Sequence, residues 1–301
     1  MNCKIIDYIK KTKYNIGFID GDIESVINGK PIKVKWLKHH YKDRWFADPF
    51  ILDITDTDII VLVEEWYDPI KRGRISKLTI DKSTFELKNL KIMIDSGSHL
   101  SFPAINRKSD GIYIHPENSA KNCLEEYKYD TITDSFTKTA ILSDCPLTDS
   151  VYCNFFGDDL MFSTKLPDAN GKELGIYKWE KSCKKFVIKE YYTFKDNISR
   201  MAGNLFEYKG KIYRPAQVCI KSYGDAVSIQ EVSYQGNKWN FKEIRRLYSP
   251  NRKLDLGFHT FNIYQNYIVV DAIGYRHFIL CYILRSVKRY FSLFQKWIKT
   301  V

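Results

Sequence analysis

The chain repeats one pattern about every fifty residues, and this repeat limits its fold more than any other feature. Each copy has an apolar strand-like run, a short polar turn and a second apolar run. The second runs start at residues 60, 112, 160, 212 and 268, so successive copies are 52, 48, 52 and 56 residues apart. The turns before them read DTD, SDG, GDD, KGK and QN, and such sequences favour tight β-hairpins. The spacing therefore predicts a series of small antiparallel sheets.

A period near fifty residues with about four strands per copy is typical of a β-propeller. Five copies predict an all-β fold, a five-bladed propeller. The fifth copy has about two strands before Arg276, and we expect the runs YNIGFI (14–19) and IKVKWL (32–37) to complete that blade and close the ring. The predicted propeller covers residues 1–275, and 276–301 form a separate C-terminal segment. A β-sandwich with coincidental spacing is the alternative, and five evenly spaced copies argue against it.

The amino-acid composition indicates the cellular compartment of the protein more than its function. Its seven cysteines are scattered without a Cys-x-x-Cys pair, which argues against a disulfide framework or a zinc site and fits a reducing cytosol. The N-terminus lacks the apolar core of a signal peptide, and no stretch reaches the length of a spanning helix. The net charge of +11 is not organised into the aromatic-interleaved motifs of nucleic-acid binding. We expect a cytoplasmic protein with no nucleic-acid partner, no metal and no cofactor.

Polar residues at the start of the inner strands are the candidate site residues, because these strands line the channel of a propeller. Asp48 stands alone in the apolar run RWFADPFI, and a buried carboxylate must be paired, hydrogen-bonded or open to a ligand. Asp149 occupies the same place in the third unit, and the two together predict a catalytic pair, although either alone could cap a turn. Glu65, Glu117 and Gln217 are assigned to one equivalent position on the second strands. The predicted set comprises catalytic Asp48, Asp149 and Glu117 with substrate-binding His99, Ser101, Arg200, Arg214, Gln217, His259 and Asn262.

Purely structural roles are an alternative for several of these residues. Arg214 and His259 could equally be hydrogen-bonded polar groups of the core. Glu64 and Glu65 could pair with Arg72 or Arg74 on the next strand.

Five phrases carry a family resemblance: NIGFI, WFADPFI, LSFPAI with IYIHPE, RMAGNLFEYKGKIYRPAQ with YGDAVSI, and GFHTFN. Over roughly residues 14–275 the chain resembles five-bladed propellers of the arabinanase and invertase type. It resembles more closely the N-terminal domain of plant glucosamine inositolphosphorylceramide transferases and their bacterial relatives. The resemblance to the hydrolases implies that Asp48 is the base or nucleophile and that Asp149 orients the acid. The acidic Glu of those enzymes is missing here, where the corresponding stretch reads Ala202-Gly203-Asn204.

The missing acid determines the predicted chemistry. A sugar alkoxide is a poor leaving group without a proton donor, whereas a phosphate needs only cations, which Arg200, Arg214 and His259 could supply. The sequence thus favours glycosyl transfer from a phosphate-activated donor, with a sugar or glycolipid substrate, in cell-surface glycan or glycolipid biosynthesis. One alternative is a glycoside hydrolase that uses Asp48 with Asp149 or Glu117. Another is a non-catalytic glycan-binding propeller.

The C-terminal run LRSVKRYFSLFQKWIKTV (284–301) has an amphipathic pattern. At about 100° per residue its basic side chains share one arc and its aromatic and aliphatic side chains fill the other side. This pattern predicts a basic amphipathic helix on an anionic membrane surface, which would make the protein peripheral on the inner face of the membrane. The alternative is a terminal helix that packs on the propeller.

Overall fold

A computed structural model describes residues 11–283. They form five four-stranded antiparallel sheets arranged as the blades of a β-propeller. The predicted fold class is confirmed. Within 11–283, no helix combines the length and the apolar character needed to cross a membrane. The predicted helix at 284–301 lies outside the described residues.

The strands are short and follow one another blade by blade. The chain begins with β1 (Thr12–Ile19), a helix at Ile23–Ile27 and β2 (Val34–Trp36). Blade one contains β3 (Arg44–Ile54), β4 (Asp58–Tyr67), β5 (Arg72–Asp81) and β6 (Leu87–Ile94). Blade two contains β7 (Ser101–Lys108), β8 (Gly111–Glu117), a 3₁₀ turn at Ser119–Lys121, β9 (Leu124–Asp130) and β10 (Ser135–Ser143). Blade three contains β11 (Leu147–Cys153), β12 (Leu160–Lys165), β13 (Glu173–Glu180) and β14 (Lys185–Thr193). Blade four contains β15 (Phe206–Tyr208), β16 (Lys211–Val218), β17 (Ala226–Gln235) and β18 (Lys238–Leu247). Blade five contains β19 (Phe261–Tyr264) and β20 (Tyr267–Tyr275) together with β1 and β2.

The fifth blade joins the two ends of the propeller. Its strand order is β19-β20-β1-β2, and β1 pairs with β20 from Thr12 opposite Tyr275 to Phe18 opposite Val269. The N-terminal runs thus supply the two strands that the fifth copy lacks, as predicted. This pairing holds the first and last strands of the chain in one sheet and so closes the ring.

Alternating apolar residues hold neighbouring blades together. In β4, Ile59, Val61 and Val63 are buried in a cluster with residues of blade five, whereas Leu62 is buried in a cluster with residues of blade two. Because successive side chains of a strand point to opposite faces, a strand between two neighbours is apolar on both. The nearly continuous run IIVLV at 59–63 has this physical cause.

A bulge near the start of three inner strands determines where the site residues point. Asp48, Phe102 and Asp149 all have left-handed backbone angles, with φ of 50°, 44° and 45°. In each strand the pairing register shifts at that point. Such a conformation costs about 1–3 kcal/mol for a residue other than glycine, so it persists where the surrounding structure fixes it. Three blades therefore present one residue each in the same way.

Blade five is followed by a helix at 278–283. The backbone N–H of Arg276 donates to the carbonyl of Lys11, and the Arg276 guanidinium pairs with Asp68 at 2.8 Å. Cys281 is 4% exposed, whereas Ile279 and Tyr282 are 71% and 64% exposed. The start of this C-terminal segment therefore contacts the propeller on one side and presents apolar side chains on the other.

Candidate active site

Asp48 is fixed at the centre of the ring by backbone hydrogen bonds. Its Oδ2 accepts from the Phe102 N–H at 3.1 Å, and its own N–H donates to Asp271 Oδ2 at 2.9 Å. The residue is 4% exposed. Blade two thus supplies the donor, through its own left-handed residue, that holds the blade-one carboxylate. These hydrogen bonds explain how a single carboxylate can be buried in the apolar run RWFADPFI.

Asp271, His259 and Asp48 form a chain of charged groups. Asp271 is fully buried, and its Oδ1 lies 2.6 Å from His259 Nδ1 and accepts from the Thr260 N–H at 3.0 Å. His259 Nε2 lies 3.5 Å from Asp48 Oδ1. Burial lowers the pKa of His259, but the charge and hydrogen bond of Asp271 outweigh burial and raise it to about 9. The imidazolium therefore carries a proton at neutral pH and faces Asp48.

Asp149 forms a second charged group, on blade three. Its Oδ2 accepts from Arg200 Nε at 2.6 Å and from Gln217 Nε2 at 2.6 Å. The backbone N–H of Asp149 donates to Glu117 Oε2 at 3.2 Å, and Arg200 Nη2 lies 3.5 Å from that oxygen. Four of the predicted residues, from blades two, three and four, therefore meet at one point.

Glu64 joins the same centre, and sequence analysis did not assign it there. The register places Glu64 opposite Ala47, as Glu117 lies opposite Ser101, so Glu64 and not Glu65 is the equivalent of Glu117. Glu65 is fully buried on the other face of β4 and pairs with Arg44 at 2.7 Å and Arg74 at 3.0 Å. The assignment of Glu65 to that position was wrong by one residue, and in a strand one residue reverses the face.

His99 lies beside Glu64 at the edge of the centre. Its Nδ1 accepts from the Gly73 N–H at 2.9 Å, so in the neutral ring the proton is on Nε2, which lies 3.6 Å from Glu64 Oε1. The side chain of His99 is 42% exposed. His99 therefore offers an approaching ligand a directly accessible contact.

Two tyrosines surround His259. The Tyr14 ring is stacked on the imidazole with a centroid distance of 5.0 Å, and the Tyr223 ring meets it edge-on at 5.4 Å. The guanidinium of Arg200 lies over Tyr223 at 5.0 Å. Tyr14 also contacts Trp45, which is stacked on Trp66 at 5.5 Å. These rings give the charged centre an aromatic border.

The carboxyl groups differ strongly in acidity. Burial raises the pKa of Asp48 to about 7, although His259 opposes the shift. Burial and the negative charge of Asp149 raise the pKa of Glu117 to about 8. Burial and the charge of Asp48 hold the pKa of Glu64 well above its usual range. For Asp271, burial is outweighed by the charge of His259, and its pKa is lowered. At neutral pH the centre thus holds both protonated and ionised carboxyl groups.

Within the described residues, Asp48, His259 and Asp271 are grouped closely enough for their ligand atoms to surround an ion. The oxygens of Asp271 already accept hydrogen bonds from His259, Thr260 and Asp48. A histidine ligand must be neutral, whereas Asp271 favours the protonated ring. These three residues suit an ion pair better than a metal site.

Three predicted site residues do not join the carboxyl groups. Arg214 is fully buried, donates to Gln230 at 2.7 Å and to the carbonyl of Ser199, and lies over the rings of Phe194 and Phe241. It is a core residue between blades three and four.

Asn262 and Ser101 are the other two predicted residues that lie apart from the carboxyl groups. Asn262 donates to the Pro49 carbonyl at 3.0 Å and accepts from the Asn204 N–H at 2.9 Å, so it links blades one, four and five. It also lines a separate cavity of about 360 Å³ with Asn204 and Arg107. Ser101 is 7% exposed and pairs in register with Glu117.

Asp271, Glu64 and Tyr14 were missed by sequence analysis. Asp271 stands alone in the apolar run IVVDA, the same signal that identified Asp48, so it could have been found. Glu64 required the strand register. Tyr14 has no sequence signal, because its role depends on β1 joining the fifth blade.

Comparison with known sequences identifies relatives over most of the propeller. The family model described as "Glucosamine inositolphosphorylceramide transferase 1, N-terminal" matches residues 34–262. Glucosamine inositolphosphorylceramide transferase 1 of Oryza sativa subsp. japonica is 26% identical over 215 residues, which are 68% of this chain and 28% of that protein. The protein of the same name from Arabidopsis thaliana is 28% identical over 210 residues. The chain spans just over a quarter of the length of these relatives.

Solved structures with a similar fold are glycoside hydrolases of distant sequence. A GH43 β-xylosidase/α-arabinofuranosidase from a compost microbial metagenome superimposes with a TM-score of 0.52 and 11% identity, over 78% of this chain and 91% of that one. The RS223 β-xylosidase gives a TM-score of 0.51 and 12% identity, over 79% and 85%. At this level of identity the likeness shows the fold alone.

Proposed function

The chain belongs to the family of the N-terminal region of glucosamine inositolphosphorylceramide transferase 1, and from that premise we propose that it is a carbohydrate-active propeller that transfers a glycosyl group by acid–base catalysis. One arrangement carries the proposal: two carboxyl groups of the same charged centre, Asp48 and Glu117, are held by the backbone N–H groups of Phe102 and Asp149, and burial raises the pKa of both, to about 7 and about 8. Near neutral pH the first is available as a base while the second still holds its proton.

Glu117 is proposed to supply the proton that the Ala202 stretch cannot. The bond between the anomeric carbon and the leaving oxygen breaks, its electron pair stays on the oxygen, and that oxygen takes the Glu117 proton. Asp48 removes the proton of the acceptor hydroxyl, and the acceptor oxygen forms the new bond to the anomeric carbon. After the transfer Asp48 holds a proton and Glu117 is ionised, so Asp48 releases its proton to water and Glu117 takes one from water before the next turnover.

Asp149 is proposed as a positioning residue. Its carboxylate is held by Arg200 and Gln217, each at 2.6 Å, and its charge raises the pKa of Glu117. The Asp271–His259 pair plays the corresponding part for Asp48, because the imidazolium opposes the rise in the pKa of Asp48. One carboxyl group is therefore kept more acidic than the other.

The pairing of the cations in the centre indicates which kind of sugar donor it can bind. Arg200 is paired with Asp149, His259 with Asp271, and Arg214 is in the core. Little unpaired positive charge is left there, so the centre suits an uncharged sugar, and the phosphate of an activated donor would have to bind outside it. The phosphate-activated donor stays a prediction.

Glycoside hydrolysis is the second candidate, and the protonated Glu117 favours it because a sugar leaving group needs an acid. The two reactions differ in the acceptor, a hydroxyl compound in one and water in the other. The non-catalytic alternative predicts binding without turnover.

The test is a substrate screen with two arms and a matched variant. Purified protein is incubated with unactivated oligosaccharides in one arm and with nucleotide sugars plus acceptor saccharides in the other, between pH 5 and 9. We expect turnover in at least one arm with a maximum between about pH 7 and 8, and turnover of the oligosaccharides, whose leaving group needs a proton, should be lost in Glu117→Gln. Sugar binding without turnover in both arms, or oligosaccharide turnover that survives Glu117→Gln, would contradict the proposed chemistry.

A further inference from the structure

A second charged region adjoins the site, and its charge is of the opposite sign. It is a pocket of about 730 Å³ between blade one, blade five and the helix at 278–283. Tyr14 lines it and is stacked on His259, so one side chain separates the pocket from the carboxyl groups. Five lysine and arginine side chains line it: Lys13, Lys42, Arg44, Lys253 and Arg276.

Within residues 11–283, three of these five cations have no partner of opposite charge. Arg44 pairs with Asp43 and Glu65, and Arg276 pairs with Asp68. Among residues 11–283, no ion pair is formed by Lys13, Lys42 or Lys253, and no carboxylate lines the pocket. The described residues thus give the pocket an excess of about three positive charges.

The fold forces two of these lysines together. Lys13 on β1 pairs with Gly274 on β20. A Cβ on Gly274 would lie 2.0 Å from the carbonyl oxygen of Lys253, so only glycine lets that loop rest on the strand pair. Burial and the neighbouring charges of Arg276 and Lys253 lower the pKa of Lys13. Like charges held side by side repel each other, and an anion between them would remove that cost.

We propose that this pocket binds a phosphate or phosphodiester group. Lysine ammonium groups bind phosphate as point charges, three of them match a group that carries one or two negative charges, and Asn251 offers a further amide donor. The volume exceeds that of a single phosphate, so there is room for the group to which it is attached. The proposal holds whether or not the carboxyl centre is catalytic.

Two sources could supply such a group. A soluble sugar phosphate would bring it from solution, and a phospholipid or glycolipid would bring it at a membrane surface. Ile279 and Leu280 line the pocket and are 71% and 48% exposed, which gives a lipid chain apolar contacts that a soluble compound does not need. The two sources are separated by experiment.

The test compares two double variants of the full chain with equal loss of charge. Lys13→Gln/Lys253→Gln removes two pocket lysines, and Lys181→Gln/Lys238→Gln removes two exposed lysines near hairpin turns of blades three and four. Titration calorimetry with inorganic pyrophosphate and with glucose 1-phosphate measures soluble anions. Co-sedimentation with phosphatidylcholine vesicles, with and without phosphatidylinositol, measures lipid headgroups.

We expect the wild type and the control variant to bind a probe in at least one arm, and the pocket variant to bind it at least tenfold more weakly. Binding of soluble anions identifies the first source, and binding of phosphatidylinositol vesicles alone identifies the second. No binding in either arm, or equal binding by all three proteins, would overturn the proposal.

Discussion

Asp48 in blade one and Phe102 in blade two have the same backbone conformation, but one side chain lies among charged groups and the other among apolar ones. Both follow the first residues of an inner strand, with φ of 50° and 44° and a register shift at that point. Asp48 is directed into the charged centre, whereas Phe102 is fully buried against Phe50, edge to face at 5.0 Å. The bulge is therefore part of the scaffold, and the side chain placed on it decides between chemistry and packing.

The largest expected effect is on turnover. Asp48→Asn keeps the shape and can still accept the Phe102 N–H, but it removes the base, so we expect activity to fall by about 10³-fold or more. The free energy of unfolding should change by less than about 1 kcal/mol. Steady-state rates on a substrate found by the screen and urea denaturation check both parts. Retained turnover would exclude Asp48 as the base.

The corresponding change in blade two should affect stability. Phe102→Ala removes a buried ring and leaves a cavity, so we expect a loss of about 3–5 kcal/mol in the free energy of unfolding. Urea denaturation measures it, with Asp48→Asn as the matched variant at the equivalent position. Equal destabilisation by both variants would break the comparison between the two residues.

The scaffold could be predicted from the sequence, and most of the predicted site residues lie together in the charged centre, although their roles stay predictions. The misplaced residues have local causes. The repeat predicted five blades because each copy buries alternating residues between neighbours, and the lone Asp48 indicated the site. Glu65 was misplaced because one residue of register decides the face of a strand. Arg214 was misplaced because a guanidinium can be buried between rings once carbonyls accept its hydrogen bonds, and no local pattern reveals that.

A smaller effect is expected from Asp149→Asn. Loss of this charge removes one cause of the raised pKa of Glu117, so Glu117 loses its proton at lower pH and the alkaline limb of the activity profile moves toward neutrality. We expect a reduction of about 10- to 100-fold at pH 8 and a smaller one at pH 6. Asp56→Asn, in an exposed turn, is the control. An unshifted limb would show that Asp149 does not act through Glu117.

The smallest expected effect on the propeller comes from deleting 284–301. If chemistry is confined to the inner strands, the melting temperature and turnover should stay close to those of the full chain. Binding to anionic vesicles should fall, because apolar insertion and attraction to anionic lipid are lost together. Co-sedimentation and a thermal melt on both proteins measure this. Binding of anionic vesicles by the deleted protein as strong as that of the full chain would refute a membrane role for this segment.

The protonation state of Glu117 tests the acid–base account most directly, because it requires no substrate. Carbon-13 labelling of glutamate allows its carboxyl resonance to be followed by NMR from pH 4 to 10, and Glu117→Gln assigns the signal by its disappearance. We predict a resonance that titrates at about 8 in the wild type. A Glu117 signal that titrates near the ordinary glutamate value of about 4.3 would mean that the residue is ionised at neutral pH, and Glu117 could not be the acid.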